Sequence, residues 1–369
     1  MAREILIIRL SSIGDIVHCT PVATALKAAW PDCKITWLVG EVAADLLRYN
    51  PYIDEIIIWS RERFEKYLRA FEFRKAFELW QDLQRRLSAK TFYAVLDVHG
   101  LFLTGMIASK TQTGRRIGMR QAREFNTLFM TETAEPLGKH ITDKYLGLLK
   151  PLGITPVNNK MTVIVPEVVK QFTKSFLKSK AIGPYEKYAV ILPGTTWTAK
   201  NWPASYFAET LRFICKDFKI VLCGGKAEIN LGREIEKKAG VPVVNAIGQT
   251  AILEMAGIIE QACVVIGGDT GPLHIAAALG IPTVALFGPT DPAIYAPLGP
   301  KNAVLFNRLM CSYCHKTKCP KGDANCMSSI TPEKVVQEVY NVVEIAPHVP
   351  AKATKIDLTI DNNPLLGLH

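Results

Sequence analysis

Apolar residues in this chain come in short unbroken runs, separated by longer segments where they recur every three or four positions. That is the signature of strands alternating with helices. The first run, Glu4 to Leu10, predicts a strand, SSIGD a loop, and Pro21 to Trp30 a helix capped by Thr20. Lys34 to Val39 and Glu55 to Trp59 predict two more strands. Arg61 to Ser88 predicts one long charged helical region or two shorter ones, with Phe64, Tyr67, Phe71 and Phe77 packing inward, and Phe92 to Val98 returns to the sheet. A stretch richer in Pro, Gly and Lys follows between Lys150 and Lys187, with a further strand expected at Met161 to Val165. The alternation then restarts at Tyr188 to Leu192, Ile220 to Cys223, Cys263 to Ile266 and Pro282 to Phe287, before a late helix at Pro332 to Glu344. Continuous apolar runs belong to parallel strands covered on both faces, so the expected class is α/β with two successive parallel sheets. The division is expected near residues 170–187, giving units at 1–178 and 179–345. A tail, 346–369, is expected to pack back on the first unit or fray.

Within that pattern Ile266 to Pro292, IGGDTGPLHIAAALGIPTVALFGPTDP, carries the most chemistry. Gly267 and Gly268 let the backbone turn at the strand end, Asp269 or Thr270 can cap the next helix, and Pro272 suits its first turn. Free N–H groups around Thr270 and Gly271 would then favour phosphate or another anion, with His274 one turn in. GPTDP makes a second loop on the same edge. An ordinary crossover with nothing at its helix end is the alternative. Asp15 lies just beyond the first strand, where open α/β sheets put ligands. Its carboxylate can take the proton of an attacking hydroxyl, as a weak base with an ordinary pKa of about 4, or can simply cap the following helix. In PGTTWTAKNWP, Pro193 to Pro203, the amides and hydroxyls of Thr195 and Thr196 can hold phosphate oxygens while Lys200 supplies a point charge.

Three of these strings, GDTGPLHIAAALGIPTVALFGPTDP, ILIIRLSSIGDIVHCTPV and PGTTWTAKNWP, resemble the ADP-heptose:lipopolysaccharide heptosyltransferases, glycosyltransferase family nine. The similarity runs in order over most of residues 1–340. It implies a GT-B fold, two Rossmann-like domains facing each other across a cleft, and an inverting transfer of heptose from ADP-heptose. Asp15 would be the base, and Lys200 would stabilise the leaving diphosphate. Thr195, Thr196, Asp269, Thr270, Gly271 and His274 would hold the donor, and Glu228 would contact its ribose, although an exposed glutamate at a helix start fits the spacing equally. Ser12 and Gly14 fall in the acceptor-side loop. Arg61, Arg63 and Lys66 follow the third strand, and Arg123 lies in QAREF, a stretch similar to the branch that adds the first heptose. Lys139 and His140 fall in a loop that would add charge toward the acceptor. The implied acceptor is a Kdo residue of Kdo-lipid A. A second heptosyltransferase acting on heptosyl-Kdo-lipid A, or an epimerase or hydrolase of the same fold, is the alternative. No cofactor is expected, and no DxD motif of the kind that holds magnesium is present.

Composition narrows the partners. Forty-four Lys and Arg against 34 Asp and Glu give a net charge of +10, which favours nucleic acid, phosphorylated lipid or a nucleotide. No aromatic RNA-binding motif or helix-turn-helix pattern appears, so nucleic acid is not expected. No apolar run is long enough to span a bilayer and the amino terminus enters a strand directly, so a cytoplasmic protein is expected, and the resemblance implies peripheral contact with the cytoplasmic face of the inner membrane. Cys311, Cys314, Cys319 and Cys326 fit a structural zinc or iron–sulfur pattern, with reduced thiols as the alternative and no metal expected in the site.

Overall fold

The computed structural model describes residues 3–322 and 324–344. The tail from 346 onward, expected to pack back or fray, lies outside the described residues. Twelve strands form two sheets. In the first, β1 (Glu4–Ile8), β2 (Lys34–Val39), β3 (Glu55–Ile58), β4 (Ala94–Asp97), β5 (Arg116–Met119) and β6 (Glu132–Ala134) lie in the order β3-β2-β1-β4-β5-β6. In the second, β7 (Tyr188–Leu192), β8 (Lys219–Leu222), β9 (Val244–Asn245), β10 (Val264–Gly268), β11 (Thr283–Phe287) and β12 (Asn302–Phe306) lie in the order β12-β11-β10-β7-β8-β9. Every pairing is parallel, with Ile5 opposite both Ile35 and Ala94, and Ile266 opposite both Ile191 and Val284. β1, β7, β10 and β11 are covered on both faces, which is why they read as unbroken apolar runs. Both order reversals, at β1/β4 and at β7/β10, leave a crevice at the carboxyl edge of a sheet.

Several elements depart from the pattern-based expectation for physical reasons. SSIGD is not a loop, because the first helix runs from Ile13 to Ala29 with Ser12 at its cap and Pro21 inside it. Proline cannot donate to the carbonyl four residues back, and the Thr20 hydroxyl takes that role, donating to Val17 O at 2.7 Å. Met161 to Val165 forms no strand. It buries Met161, Val163 and Val165 on one side, and the Thr162 N–H donates to Thr20 Oγ1 at 2.9 Å. Alternation reports a buried face, and here that face covers the seam between the sheets instead of joining a ladder. Gly267 and Gly268 end β10 rather than turning after it. Arg61 to Ser88 is two helices, Arg61–Arg69 and Phe73–Ser88, and the break moves Phe71 and Phe77 into solvent, at 78% and 57% exposure, while Phe64 packs on Trp59 and Trp80.

The halves meet along a seam built on small residues. A Cβ added to Gly271 would strike Ile13, and one added to Gly14 would lie 3.0 Å from His274, so the Ile13–Ala29 and Gly271–Ala278 helices cross with their N-termini together. Val17 and Leu46 share a buried cluster there with Leu253, Ala256 and Ile275. The Glu167–Ser179 helix packs Val169 and Thr173 against Gly257 of the Ile252–Glu260 helix.

Candidate active site

Two carboxylates face this junction, one from each half. Asp15 sits in the first turn of its helix, held from several sides. Oδ2 pairs with Arg9 at 2.6 Å and accepts from the Ser12 hydroxyl at 2.8 Å and the Ser12 N–H at 3.3 Å. Oδ1 accepts only from the Tyr145 hydroxyl, at 2.7 Å. Asp15 therefore completes a capping box with Ser12 and also presents an oxygen with a lone pair to spare, on a side chain 27% exposed. Burial raises its pKa, but the Arg9 guanidinium and the hydroxyls of Tyr145 and Ser12 outweigh that and hold the carboxyl well below its usual range. It is a weaker base than an aspartate of ordinary pKa. Arg9 is anchored in turn, donating to Val98 O at 3.0 Å.

Asp269, at the end of β10, is enclosed. Oδ2 pairs with Lys200 at 2.6 Å and accepts from the Thr290 hydroxyl at 2.9 Å, while His274 Nε2 lies 3.3 Å from Oδ1. Burial raises its pKa, and hydrogen bonding to His274 together with the Lys200 charge pulls it well below the usual value. Thr270, not Asp269, occupies the helix cap, and Pro272 falls in the first turn. Lys200 is no free point charge: it is locked to Asp269 and lies 4.3 Å from the centroid of the Trp197 ring.

Around these two, the residues anticipated from the sequence divide. Thr195 turns both its N–H and its hydroxyl onto Asn201 Oδ1, at 3.1 and 2.8 Å, and so shapes the loop, whereas Thr196 is exposed. Glu228 lies against Gly194, Gly224 and Gly225, and a Cβ at Gly194 would collide with its side chain. Glycines at those positions make room for the carboxylate between the β7 and β8 loops. Arg61 bonds Glu65 at 2.6 Å and approaches His99 Nε2 at 3.3 Å. Arg63 pairs with Glu41 at 2.8 Å, and Lys66 and Arg123 are exposed. His140 is buried in the seam, where its ring accepts from the Thr142 N–H at 3.2 Å and lies 3.0 Å from Ala296 O in the other half. Lys139 likewise reaches Asp291 at 3.1 Å.

Sequence reasoning missed Arg9, His18, Tyr145, Thr290 and Tyr295. A cation in the apolar run EILIIRL was the available signal for Arg9, while Tyr145 gave none. His18 packs between His274 and His140, with ring centroids at 4.3 and 5.3 Å, and burial followed by those two rings pushes its pKa well down. Tyr295 has its pKa raised by burial and by Asp15 and Asp269, with Arg123 and Arg9 opposing, which puts it in the field of both carboxylates. The four thiols gather elsewhere. Burial, then Cys311, Cys314 and Cys319, raise the pKa of Cys326, yet among the described residues no group of three His, Cys, Asp or Glu is placed to hold a metal ion.

Comparison with known proteins gives a consistent result. The model of glycosyltransferase family 9 (heptosyltransferase) matches residues 80–324. Lipopolysaccharide heptosyltransferase 1 of Pseudomonas aeruginosa is 28% identical over 328 residues, covering 86% of this chain and 87% of that protein. A glycosyl transferase family 9 structure from Veillonella parvula matches with a TM-score of 0.79 at 24% identity, over 93% of this chain and 97% of that one. An E. coli heptosyltransferase solved with ADP matches with a TM-score of 0.72 at 22% identity, over 92% and 99%.

Proposed function

The chain belongs to glycosyltransferase family 9, the heptosyltransferases, and from that premise we propose that it transfers heptose from ADP-heptose to a Kdo residue of Kdo-lipid A, with inversion and without a metal. The observation that carries this reading is the meeting of two helix N-termini at Gly14 and Gly271, with Asp15 on one side and the Lys200–Asp269 pair on the other. Two positive helix ends aimed at one place suit a diphosphate donor and an anionic acceptor. Residues 1–178 form the acceptor half and 179–345 the donor half of a GT-B enzyme working at the cytoplasmic face of the inner membrane.

In the reaction, the acceptor hydroxyl oxygen forms a bond to the anomeric carbon as the bond from that carbon to the diphosphate oxygen breaks. The electron pair leaves with ADP and the hydroxyl proton passes to Asp15 Oδ1. Because Asp15 is held so acidic, that transfer comes late, once the new bond has made the hydroxyl acidic. Charge building on the leaving diphosphate is offset by Lys200, the Thr196 hydroxyl and the N–H groups around Thr270 and Gly271, with His274 behind them. Glu228 accepts from the ribose hydroxyls. Arg61, Arg63, Lys66 and Arg123, beside Ser12 and Gly14, grip acceptor carboxylate and phosphate, Arg61 and Arg63 by exchanging their present glutamate partners.

The test is ADP release from ADP-heptose with Kdo-lipid A, with heptosyl-Kdo-lipid A and with no acceptor, each with and without EDTA. Release only with Kdo-lipid A, unchanged by EDTA, is expected. Release only with the heptosylated acceptor would move the enzyme to the next transfer, and release without acceptor would indicate a hydrolase.

A further inference from the structure

The tip of the hairpin formed by the Arg61–Arg69 and Phe73–Ser88 helices exposes Leu68, Phe71, Phe73 and Phe77, at 40%, 78%, 60% and 57%. Three exposed phenylalanines within seven residues are costly in water and contribute nothing to the core behind them. Phe73 and Phe77 lie one turn apart on the same helix. Phe71 meets Phe73 edge-on with ring centroids 5.9 Å apart, so the side chains form one continuous knob. Phe71 sits at φ 57, in the left-handed region that a bulky side chain avoids. A chain selected only for folding would place Gly or Asn there.

Charge surrounds the knob. Residues 61–90 carry nine Lys or Arg against five Asp or Glu. Arg69 and Arg74, flanking the aromatics, are 82% and 92% exposed and are paired only with Glu65 at 3.5 Å and Glu78 at 3.0 Å. Exposed pairs of this kind are worth little and exchange readily for phosphate. An aromatic tip ringed by exposed arginines on a net-basic hairpin fits the interface of an anionic bilayer, where rings enter the acyl boundary and guanidinium groups meet headgroup phosphates.

We propose that the Leu68–Phe77 tip is a membrane anchor that inserts into an anionic lipid leaflet and holds the acceptor half of the cleft over it. This rests on the reading above in one respect, that the acceptor is carried by a lipid. The hairpin roots in the site: Arg61 approaches His99, whose Nδ1 lies 3.3 Å from the N–H of Leu10, next to the Arg9 that holds Asp15. Nine helical residues separate root from tip by about 13 Å, so an inserted tip leaves Asp15 above the headgroups, level with the sugars of a lipid-borne acceptor. Phe125 and Leu128, in the segment that follows β5, are also exposed, at 78% and 77%.

The experiment compares the full chain with F71S/F73S/F77S in sedimentation with phosphatidylglycerol-containing vesicles and with phosphatidylcholine vesicles. Transfer to water-soluble, de-acylated Kdo acceptor is followed in parallel. Wild type is expected to bind the anionic vesicles, less so at high salt, and the variant to bind about tenfold or more weakly. Melting and turnover of the soluble acceptor should be unchanged. Phe71→Ser alone, at the most exposed of the three positions, gives a smaller loss in the same direction and serves if the triple variant folds poorly. Equal vesicle binding by variant and wild type would overturn the proposal. So would equal loss of soluble turnover, which would make the tip part of the acceptor site, or a wild-type dimer that the variant abolishes with no vesicle affinity. Vesicle binding lost in the variant while wild type transfers heptose to no acceptor would leave the anchor standing and sink the catalytic reading instead.

Discussion

Asp15 and Asp269 each lie at the carboxyl edge of a parallel sheet beside a helix N-terminus, and each is paired with a cation that is largely covered, Arg9 at 10% and Lys200 at 12% exposure. Asp269 is 9% exposed and meets a lysine, a hydroxyl and an imidazole across its two oxygens. Asp15 is 27% exposed, and its Oδ1 meets only the Tyr145 hydroxyl. Residue type and position in the fold are alike and each Oδ1 has one protein partner, so what separates scaffold from reactant is whether anything can reach the lone pair left over. On this view Asp269 holds Lys200 in place and Asp15 does chemistry.

The two carboxylates are tested most visibly in stability. Asp269→Ala strands Lys200 and Asp15→Ala strands the equally covered Arg9, so each is expected to cost about 3–5 kcal/mol, read by denaturant unfolding. A loss under about 1 kcal/mol at either position would mean that its cation finds water or another partner.

The seam between the two carboxylates gives the next largest effect. Burial lowers the pKa of His18 and His140, and burial with the charges of Arg9 and Arg61 pushes His99 down to about 3. The unfolded chain takes up these protons below about pH 6.5 while the folded chain does not, so stability holds above that pH and falls beneath it, by up to about 1.4 kcal/mol per pH unit for each group. Asp15 and Asp269 are depressed carboxyls, whose contribution is lost only below about pH 4, so melts between about pH 7 and pH 5 isolate the histidines. His18→Asn should flatten that slope, and an unchanged slope would clear His18.

Tyr145→Phe sharpens the comparison from the Asp15 side. Losing the single donor to Oδ1 should raise the Asp15 pKa and lower kcat about tenfold with little change in donor KM, measured by ADP release. The smallest effect belongs to Lys139→Ala, which removes an exposed lysine from a pair with the buried Asp291 and should cost about 1 kcal/mol, less at high salt.

Much of this was legible in sequence. Lys34–Val39 and Tyr188–Leu192 match the structure at both ends, and Pro282 to Phe287 is off by one residue, because each strand is buried on both faces and ends at a turn signal. The four strands without a counterpart in the sequence reading, β5, β6, β9 and β12, lie at or beside sheet edges and bury less of their side chains. Pro21 misled because its helix start is the local default, and only the Thr20 hydroxyl makes the interior position tolerable. Asp15, Lys200 and Asp269 stood out in the sequence. Their partners did not: Tyr145 reaches Asp15 across 130 residues from a segment that carries no local signal, and the GPTDP loop showed as a loop without showing that its Thr290 turns onto Asp269. Phe71 and Phe77 continued the apolar period from Phe64, but a left-handed residue between two helices resets the phase.

The most direct measurement is single-turnover heptose transfer by Asp15→Asn against wild type at saturating donor and Kdo-lipid A, with melting followed alongside. The asparagine keeps the shape of the site and removes the proton acceptor, so the rate should fall on the order of 10³-fold with the fold retained. A rate within about tenfold of wild type would contradict the account, leaving Asp15 as a helix cap and Arg9 anchor and sending the search for the base to Tyr295 and the seam histidines.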